Sequence, residues 1–415
     1  MHDWEAGGRR SLFGGDEYRR RWRALQETLR RDGIAAAVLQ QSRNVLYFGG
    51  IAVHGQVVIP ADGEPTFLVQ IDAERARQVS PLRVVTSRGV GALAAALRDC
   101  GAGRERVGIE KDALPVANLE RLAAALPEAS FADVNAAAYG CRMIKSPPEV
   151  DVLRRAAAIS CALFDAVAQL ARPGLTEIDL HARLAAQARS LGADGLMAKR
   201  GWNDRTVEHA WLVSGPNTAQ VSGYWLTMSG LGPSPARPYG PTGRPLEHGD
   251  LLVYDVGTSF HGYHTDQART YVLGRASGRQ RRYRDALVEM QRAAIAAAVP
   301  GAPLGAPYEA ARAVAQAHDL YDCFMTRASY DFPYVGHGVG LEIDEPPLLS
   351  PRTDGVFEPG MVVAIEPKII VPGWGGLTLE DTVAVTASGN EVLTRAVDRF
   401  ELGDGAARPR RDRDS

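Results

Sequence analysis

Apolar residues near the N-terminus recur at the spacing of an amphipathic helix. Between residues 17 and 31 they fall on one face of a helix with about 3.6 residues per turn. These residues are Tyr18, Trp22, Leu25 and Leu29. Gly33 stands where a glycine commonly ends a helix in the left-handed conformation. The pattern therefore predicts an initial helix that packs its apolar face on a core.

Short apolar runs then alternate with helical patterns over the first third of the chain. The runs have the length of buried strands and are separated by turn residues, and they cover 35–39, 45–50, 56–60 and 66–70. Helical patterns cover 72–79, 90–99 and 117–126. This alternation predicts a small α/β domain of about 140 residues.

A helix start marks the boundary between this domain and the rest of the chain. Ser146, Pro147 and Glu149 are residue types favoured at the N-cap, N1 and N3 positions of a helix. We therefore predict an N-terminal domain over residues 1–145 and a second domain over 146–403. Residues 404–415 have almost no apolar side chains to bury and are predicted to form a disordered tail.

A pattern of helix, Pro-Gly turn and helix occurs twice in the second domain. The predicted helices cover 147–171, 176–191, 278–298 and 307–318. Pro173-Gly174 lies between the first two helices, and Pro300-Gly301 lies between the last two. Because each copy lies beside strand-like runs, we interpret the second domain as a duplicated α+β unit.

The composition limits the partners of the chain. Its 415 residues exceed what one hydrophobic core usually supports, which agrees with two domains. Lys and Arg number 47 and Asp and Glu 49, so the net charge of −2 gives no electrostatic reason to expect nucleic acid or an anionic membrane. The four cysteines form no CxxC pair, which argues against a thiolate zinc site and a disulfide framework. No apolar run approaches the roughly 18 residues that span a bilayer. We therefore expect a cytoplasmic protein that binds neither nucleic acid nor membranes.

Four acidic residues lie in apolar segments with the pattern of β-strands. They are Asp255 in LLVYDVG, Asp266 in GYHTDQART, Glu366 in VVAIEPKIIV and Glu380 in LTLEDTVAV. An ionised carboxylate is costly to bury unless a cation or strong hydrogen-bond donors meet it. Each acid alone also fits a turn or cap position with backbone hydrogen bonds, but four such residues favour a shared cation.

A histidine between glycines adds a nitrogen ligand to this set. His337 lies in VGHGVG, where the flanking glycines allow the backbone to approach a bound group closely. A single histidine is most often structural. Carboxylates with one imidazole, however, suit Mn, Co, Zn or Fe in a site where bridging carboxylates hold two ions. The five residues together predict a pair of divalent metal ions.

The same segments resemble a known family, the creatinase, prolidase and aminopeptidase P group, which includes the methionine aminopeptidases. VYDVG, GYHTDQART, VGHGVGLEIDEPP, VVAIEPKI and LTLED follow the order and spacing of that family, and the resemblance extends over residues 13–400. It implies an α+β fold in which a pita-bread catalytic domain follows a smaller α/β creatinase-like N-terminal domain. It also implies a homodimer.

The resemblance implies a role for each site residue. Asp255 would bind one metal ion, Asp266 and Glu380 would bridge both ions, and His337 with Glu366 would complete the second position. Glu366 would in addition act as the general base. The implied activity is hydrolysis of a small amide or a short peptide. The simplest form is an Xaa-Pro aminopeptidase or dipeptidase in which a metal-bridging hydroxide attacks the carbonyl carbon.

Three positions depart from the family pattern. The peptidases have a histidine seven residues after the metal-binding histidine, where this chain has Asp344. They have another histidine after the SGxN stretch, where this chain has residues 222–224, and prolidase-like members have an arginine in place of Thr378. We therefore expect Asp344 to join His337 and Glu366 as a catalytic residue. It would act either as a base or as a group that binds a cationic part of the substrate.

These departures leave other functions open. One alternative is a family member that is not a peptidase, either a creatinase-like C–N hydrolase or a lyase in which Asp344 takes a proton from a cationic small acid. Another is a binding protein that kept the fold and lost the activity. Asp344 also fits a solvated loop acid. His209, His261 and His264 fit either replacements for the missing histidines or ordinary core and surface residues.

Overall fold

The structure is a computed structural model that describes residues 11–200, 207–220, 228–325, 333–397 and 399–403. The chain divides into two units, the first comprising Met1–Arg142 with Arg200–Arg205 and the second Met143–Lys199 with Thr206–Ser415. The domain limits expected from the sequence stay a prediction, and the tail 404–415 lies outside the described residues. Within the described ranges, no helix is both long and apolar enough to cross a membrane.

Helices and short strands alternate in the first unit. In chain order they are α1 (Gly15–Arg31), β1 (Ala36–Leu39), α2 (Ser42–Gly49), β2 (Gly55–Pro60), β3 (Thr66–Val69), α3 (Ala73–Val79), β4 (Arg83–Thr86), α4 (Val90–Asp99), β5 (Arg106–Ile109), α5 (Val116–Ala125), β6 (Ser130–Asp133) and α6 (Asn135–Met143). The strands form one sheet in the order β4-β3-β2-β1-β5-β6, in which β2 is antiparallel to both neighbours. Val38, Leu97 and Ile109 contribute to the core between this sheet and its helices.

Helix α1 has the face and the end that the sequence predicts. The buried positions include Tyr18, Trp22, Leu25 and Leu29. Gly33 follows with a φ of 65°, a left-handed conformation that glycine adopts without steric cost. The Trp22 indole N–H donates to the carbonyl oxygen of Phe48 at 2.9 Å, which holds α1 against α2.

The apolar run at 45–50 is helical, so its prediction as a strand is wrong. The run forms most of α2, and the Gln41 side chain caps this helix by accepting from the backbone N–H groups of Arg43 and Asn44 at 2.6 and 3.2 Å. Gly50 ends the helix with a φ of 85°. A short apolar run has the same composition in a buried helix and in a buried strand. Here the helix caps at Gln41 and Gly50 favour the helix over the strand.

Arg200 belongs to the first unit although it lies far along the chain. Its guanidinium donates to Asp112 at 2.5 and 2.7 Å and to the Asn135 side chain at 2.6 Å. It also lies 3.2 Å from Glu110, a buried carboxylate that accepts from the Gln41 backbone N–H at 2.7 Å. Ion pairs between distant residues leave no periodicity in the sequence, so the apolar pattern gives no sign of this contact.

The second unit carries two larger sheets and two helix pairs. In chain order its elements are α7 (Pro147–Leu170), α8 (Glu177–Ser190), β7 (Leu196–Met197), β8 (Val207–Glu208), β9 (Ala210–Ser214), β10 (Leu251–Phe260), β11 (Tyr263–Leu273), α9 (Gly278–Ala297), α10 (Ala306–Ala317), β12 (Gly336–Gly338), β13 (Glu345–Leu348), β14 (Val362–Ile365), β15 (Lys368–Val371), β16 (Gly375–Thr378), β17 (Asp381–Thr386), β18 (Gly389–Val392) and β19 (Glu401–Leu402). One sheet has the order β19-β11-β10-β9 and the other β13-β12-β14-β17-β18, while β15 pairs with β16 and β7 with β8. Helix α7 packs on β10 and β11, and α9 packs on α10 and β14.

The helices predicted around the two Pro-Gly turns are confirmed as α7 to α10. At the start of α7 the Ser146 backbone N–H donates to the Glu149 carboxylate at 2.9 Å. At the start of α8 the Asp179 backbone N–H donates to the Thr176 hydroxyl at 3.1 Å. The capping residues read from the sequence therefore set both helix starts.

The sequence pattern indicated that Glu366 and Glu380 lie inside strands. In the structure both residues lie at strand ends. Glu366 directly follows β14. The strand ends here because the next residue, Pro367, has no backbone N–H to continue the pairing of strands. Glu380 directly precedes β17, and its backbone bridges to Ala268 of β11. Both acids therefore sit at junctions between strands.

Glu177 ties the first turn of α8 to the segments around Ser214 and Thr242. Its buried carboxylate accepts from the Ser214 backbone N–H at 2.6 Å, from the Asn217 amide at 3.0 Å and from the Thr242 backbone N–H at 2.8 Å. The hydroxyls of Ser214 and Thr242 also donate to it, each at 2.8 Å. The carboxylate is thus fully surrounded by donors.

Glu177→Gln is therefore expected to destabilise the protein. The substitution replaces an accepting oxygen by a donating amide group and leaves buried donors unpaired. The free energy of unfolding should fall by about 1–3 kcal/mol, as measured by urea denaturation. An unchanged value would show that this network does not stabilise the second unit.

Candidate metal centre

Three acidic side chains share one face of the β10–β11 sheet because of the strand register. Asp255 in β10 is paired with Ala268 in β11, and Gly257 is paired with Asp266. Ala268 is bridged on its other side to Glu380. Residues that lie opposite each other, or two apart along a strand, point to the same face of a sheet. Asp255, Asp266 and Glu380 therefore share a face.

The other two predicted ligands come from the second sheet. Strand β12 pairs His337 with Ala364 of β14, and Glu366 follows β14 directly. The Nε2 atom of His337 lies 3.8 Å from Glu366 Oε1 and 3.9 Å from Asp266 Oδ2. Asp266, His337 and Glu380 each offer a ligand atom within 4.8 Å of the other two. The structure thus gathers Asp266, Glu366 and Glu380 around His337, with Asp255 beside Asp266 on the shared face.

The cluster is buried, and the carboxylate of one of its acids meets no hydrogen-bond donor among the described residues. Each of the five residues is at most 9% exposed. Neither carboxylate oxygen of Glu380 accepts a hydrogen bond from any residue that the structure describes. Leaving a buried acceptor unsatisfied costs about 1–3 kcal/mol, and more for a charged group. Glu380 therefore fits a ligand for a cation that comes from solution.

A backbone contact fixes the tautomer of His337. Its Nδ1 atom lies 3.1 Å from the carbonyl oxygen of Gly338. Because a carbonyl oxygen only accepts, Nδ1 carries the proton, and in the neutral ring the lone pair is on Nε2. Nε2 is the atom that faces Asp266 and Glu366. An imidazole oriented in this way is typical of metal-binding histidines.

Burial and mutual repulsion change the ionisation of the acids. Burial raises the pKa of Asp255 to about 7, with the Lys368 charge opposing the rise and the Glu366 charge adding to it. Burial, followed by repulsion from neighbouring carboxylates, also raises the pKa of Asp266 and the pKa of Glu380. Divalent cations would hold all of these acids ionised at neutral pH. The donor set therefore fits divalent metal ions.

A buried lysine lies within the cluster, and the sequence analysis missed it. The Lys368 ammonium, on a residue that is 1% exposed, donates directly to Glu366 Oε2. Burial lowers the pKa of Lys368, but the charge of Glu366 and other acids outweigh burial and raise it. Strand pairing places Lys368 opposite Thr378, the position at which the family pattern has an arginine. The available signal was a lysine inside the apolar run IEPKIIV, two residues after a predicted ligand.

Asp344 lies beside the cluster and pairs with a second lysine. The Lys199 ammonium donates directly to Asp344 Oδ2, and Asp344 Oδ1 lies 3.8 Å from His337 Nδ1. Burial raises the pKa of Asp344, but the neighbouring His337 and Lys199 outweigh burial and lower this pKa to about 2. The Asp344 carboxylate thus already binds one cation, the Lys199 ammonium.

His264 holds the segment that carries Lys199. Its Nδ1 donates to the carbonyl oxygen of Gly340 at 3.0 Å, and its Nε2 accepts from the Ala198 backbone N–H at 3.0 Å. The Ile343 backbone N–H donates to the Ala198 carbonyl oxygen at 2.8 Å. Both ring nitrogens of His264 are thus engaged, which is typical of a structural histidine.

The remaining sequence candidates contribute less to this site. His261 lies in the turn between β10 and β11 with a φ of 52°, and the His209 ring lies 5.3 Å from the His181 ring. Residues 222–224 lie outside the described residues.

Tyr334 is a further group that the sequence analysis missed: burial raises its pKa, and the charges of Lys368 and Glu366 act on its hydroxyl. Tyr334 is therefore a neutral hydrogen-bonding phenol beside the cluster.

Two family models match most of the chain. The model of metallopeptidase family M24 matches residues 151–387, and that of the creatinase/prolidase N-terminal domain matches residues 21–144. The first match contains the five clustered residues, and the second covers most of the first unit.

Several of the similar proteins are named Xaa-Pro dipeptidases. The Xaa-Pro dipeptidase of Pyrococcus furiosus is 27% identical over 355 residues, which cover 85% of this chain and 91% of that protein. The Xaa-Pro dipeptidase of Lactobacillus helveticus is 31% identical over 291 residues, which cover 69% of each chain.

Solved structures with the same architecture carry similar names. The Xaa-Pro dipeptidase from Bacillus anthracis has a TM-score of 0.80 at 25% identity, covering 93% of this chain and 100% of that chain. The prolidase from Pyrococcus horikoshii has a TM-score of 0.77 at 25% identity, covering 91% and 99%.

Proposed function

The chain belongs to metallopeptidase family M24, and from this premise we propose that it is a divalent-metal-dependent Xaa-Pro dipeptidase. One observation carries the metal dependence: Glu380 buries both carboxylate oxygens with no donor from the described part of the chain, among three further acids and an imidazole. The Xaa-Pro dipeptidases among the similar proteins support the substrate class.

We assign the metal ions to the five clustered residues. Asp255 would bind the first position, Asp266 and Glu380 would bridge, and His337 with Glu366 would complete the second position. Carboxylates with one imidazole suit Mn, Co, Zn or Fe. Two ions of one of these metals are part of this proposal.

The surrounding residues have defined tasks in hydrolysis. When bound, divalent ions polarise the scissile carbonyl and lower the pKa of a water molecule. Glu366 is placed to accept a proton from the attacking water, because its Oε1 faces His337 while its Oε2 is held by Lys368. The Tyr334 hydroxyl, buried beside the same charges, can donate a hydrogen bond to the substrate. His337 holds its Nε2 toward the carboxylates through the Nδ1 contact with Gly338.

Asp344 and Lys199 fit the two charged ends of a dipeptide. Their side chains are 39% and 20% exposed, so both remain accessible beside the buried cluster. Asp344 would bind the substrate ammonium, and Lys199 would bind its carboxylate.

The alternatives to peptide hydrolysis are not favoured by the comparisons. The Xaa-Pro dipeptidases among the similar proteins match 69% to 89% of this chain, and none of the observations on the cluster calls for creatine or a sulfonium acid. We also propose a cytoplasmic location, which the four free cysteines support because a reducing compartment keeps thiols unpaired. A homodimer completes the proposal and rests on the family resemblance.

A substrate screen on metal-reconstituted protein tests the proposal. The protein is stripped with a chelator, loaded separately with Mn, Co, Zn or Fe, and assayed with Xaa-Pro dipeptides, longer Xaa-Pro peptides, creatine and betaine or sulfonium acids. We expect hydrolysis of Xaa-Pro dipeptides with at least one metal and none in the stripped protein. Turnover confined to creatine or to the sulfonium acids in metal-loaded protein would establish the non-peptidase alternative instead.

Asp344→Asn is expected to weaken substrate binding without loss of metal. The substitution keeps the shape of the side chain and removes the charge that would hold the substrate ammonium. We expect kcat/KM for Xaa-Pro dipeptides to fall by about 10- to 100-fold, mainly through KM, with metal content unchanged by mass spectrometry. Asp112→Asn provides a matched control, because Asp112 is also paired with a cation but lies in the first unit. Unchanged kinetics in Asp344→Asn would identify Asp344 as a loop acid.

A further inference from the structure

A cavity of about 510 Å³ opens at one end of the sheet in the first unit, and all of its lining residues belong to that unit. We propose that this cavity binds a small organic anion that carries a planar hydrogen-bonding group on an apolar body. Mononucleotides and N-acylated amino acids are two sources of this chemistry. The volume lies in the range of about 300–1,000 Å³ that small-molecule sites occupy.

The cavity lies where the connections between strands diverge. Strands β1 and β5 are parallel neighbours, and each continues at its carboxyl end into a residue that lines the cavity, Gln40 and Glu110 respectively. The chain leaves β1 through α2 toward β2 on one side, and it leaves β5 through α5 toward β6 on the other side. Such divergent connections leave a crevice outside the carboxyl ends of parallel strands, and α/β proteins commonly bind ligands there.

The floor of the cavity is apolar. It is formed by side chains of β1, α4, β5 and α5 that also belong to the core of the unit, and each of these residues is at most 4% exposed. They are Val38, Leu93, Ile109 and Leu122. A ligand with an aromatic or aliphatic body would bury apolar surface against this floor, which favours binding by about 25 cal/mol per Å² removed from water.

Three half-buried glutamines from neighbouring strands line the polar wall of the cavity. Gln56 of β2 is paired with Leu68 of β3, which lies two residues before Gln70. Because alternate residues of a strand point to the same face, Gln56 and Gln70 share a face of the sheet. The Gln56 amide also donates to the side-chain oxygen of Gln40 at 3.5 Å. Amides offer donors and acceptors side by side, and this suits a nucleobase edge or a second amide group.

The charges around the cavity favour an anion without an ammonium group. Glu110 is the only acid among the described lining residues. Its carboxylate already accepts from the backbone N–H groups of Gln40 and Gln41 at 2.6 and 2.7 Å, and from the Asn44 amide at 2.6 Å. Arg121, an exposed residue of α5, lines the same cavity. A carboxylate or phosphate would therefore meet a guanidinium, which binds both groups well, whereas an ammonium would meet a carboxylate that is already engaged.

Calorimetric titration of the full-length protein tests this inference. The probes are adenosine 5′-monophosphate and N-acetyl-leucine, each with a partner that lacks the negative charge, adenosine and N-acetyl-leucine amide. We expect at least one of the two anions to bind with a Kd below about 1 mM, and its uncharged partner to bind at least about tenfold more weakly. The anion that binds more tightly identifies the source of the ligand.

Substitutions locate the binding within the chain. Arg121→Met removes the cation and should weaken binding of the anion by about 10- to 100-fold, while Gln56→Leu removes one amide and should weaken it by at least about fivefold. Arg104→Met is the matched control, because Arg104 is an exposed arginine of the same unit that does not line the cavity. It should bind the anion as the wild type does. Glu380→Gln, which alters the proposed metal centre, should also leave this binding unchanged.

Several results would contradict the inference. Absence of binding by both anions in the wild type would overturn it whether or not the variants fold. Equal affinity for an anion and its uncharged partner would overturn the role of charge. Wild-type affinity in folded Arg121→Met and Gln56→Leu would exclude the cavity, and loss of binding in Glu380→Gln would place the anion at the metal centre instead.

Discussion

Replacing Glu380 by glutamine is expected to remove bound metal and to lower kcat/KM for an Xaa-Pro dipeptide by at least about 1,000-fold. Glu380 depends on a cation more than the other acids do, because its two buried oxygens accept hydrogen bonds from none of the residues described here. A glutamine has the same shape but supplies a neutral, weaker ligand at a bridging position. Metal content and steady-state kinetics, measured on the same preparation, check this expectation.

Thermal unfolding with and without Mn²⁺ gives an independent readout for the same variant. Ligand that binds only the folded state raises the wild-type melting temperature, and Glu380→Gln should abolish that rise. Without metal, the variant should be at least as stable as the wild type, because a neutral amide is less costly to bury than an unpaired carboxylate. Glu177→Gln is the matched control: it should lower the melting temperature but keep the full Mn²⁺ effect, because its carboxylate serves only internal donors. A Mn²⁺ effect that persists at wild-type size in Glu380→Gln would contradict the assignment.

Glu366→Gln should produce the second large loss of activity. Because we propose that Glu366 takes a proton from water, its replacement should lower kcat by about 100- to 10,000-fold. A decrease in kcat of less than about tenfold would exclude Glu366 as the general base.

The contact with Lys368 supplies a control for this variant. Glu366→Gln leaves a buried ammonium without its carboxylate and should destabilise the metal-free protein. The double variant Glu366→Gln/Lys368→Met removes both charges, so it should regain much of that stability. It should not regain activity. Recovery of activity in the double variant would show that the single variant fails through destabilisation.

Local sequence patterns were sufficient for the family and the fold class. The metallopeptidase M24 match and the Xaa-Pro dipeptidase structures confirm the family, the metal-dependent hydrolase class, and an α+β pita-bread domain preceded by a creatinase-like α/β domain. Capping residues such as Ser146 and Glu149 predicted helix starts, because a cap is a local contact. The strand-like patterns around Asp255 and Asp266 are also local, and in the structure the two strands pair with Gly257, two residues after Asp255, opposite Asp266.

The elements that sequence reasoning missed depend on contacts between distant residues or on ambiguous local signals. The run at 45–50 has too few residues to separate helix from strand, and the caps at Gln41 and Gly50 settle the matter. Lys199 meets Asp344 only because His264 joins segments far apart in the chain. Lys368 gave a local signal, a lysine within an apolar run. Which group it would meet followed only from the fold.

Anomalous diffraction from crystals grown with Mn²⁺ tests the central claim most directly. The account places the buried carboxylates and the His337 imidazole around divalent metal. It predicts strong anomalous peaks enclosed by Asp255, Asp266, His337, Glu366 and Glu380. A map with no peak at these residues, from crystals in which Mn²⁺ is present in excess, would contradict the metal centre and the function built on it.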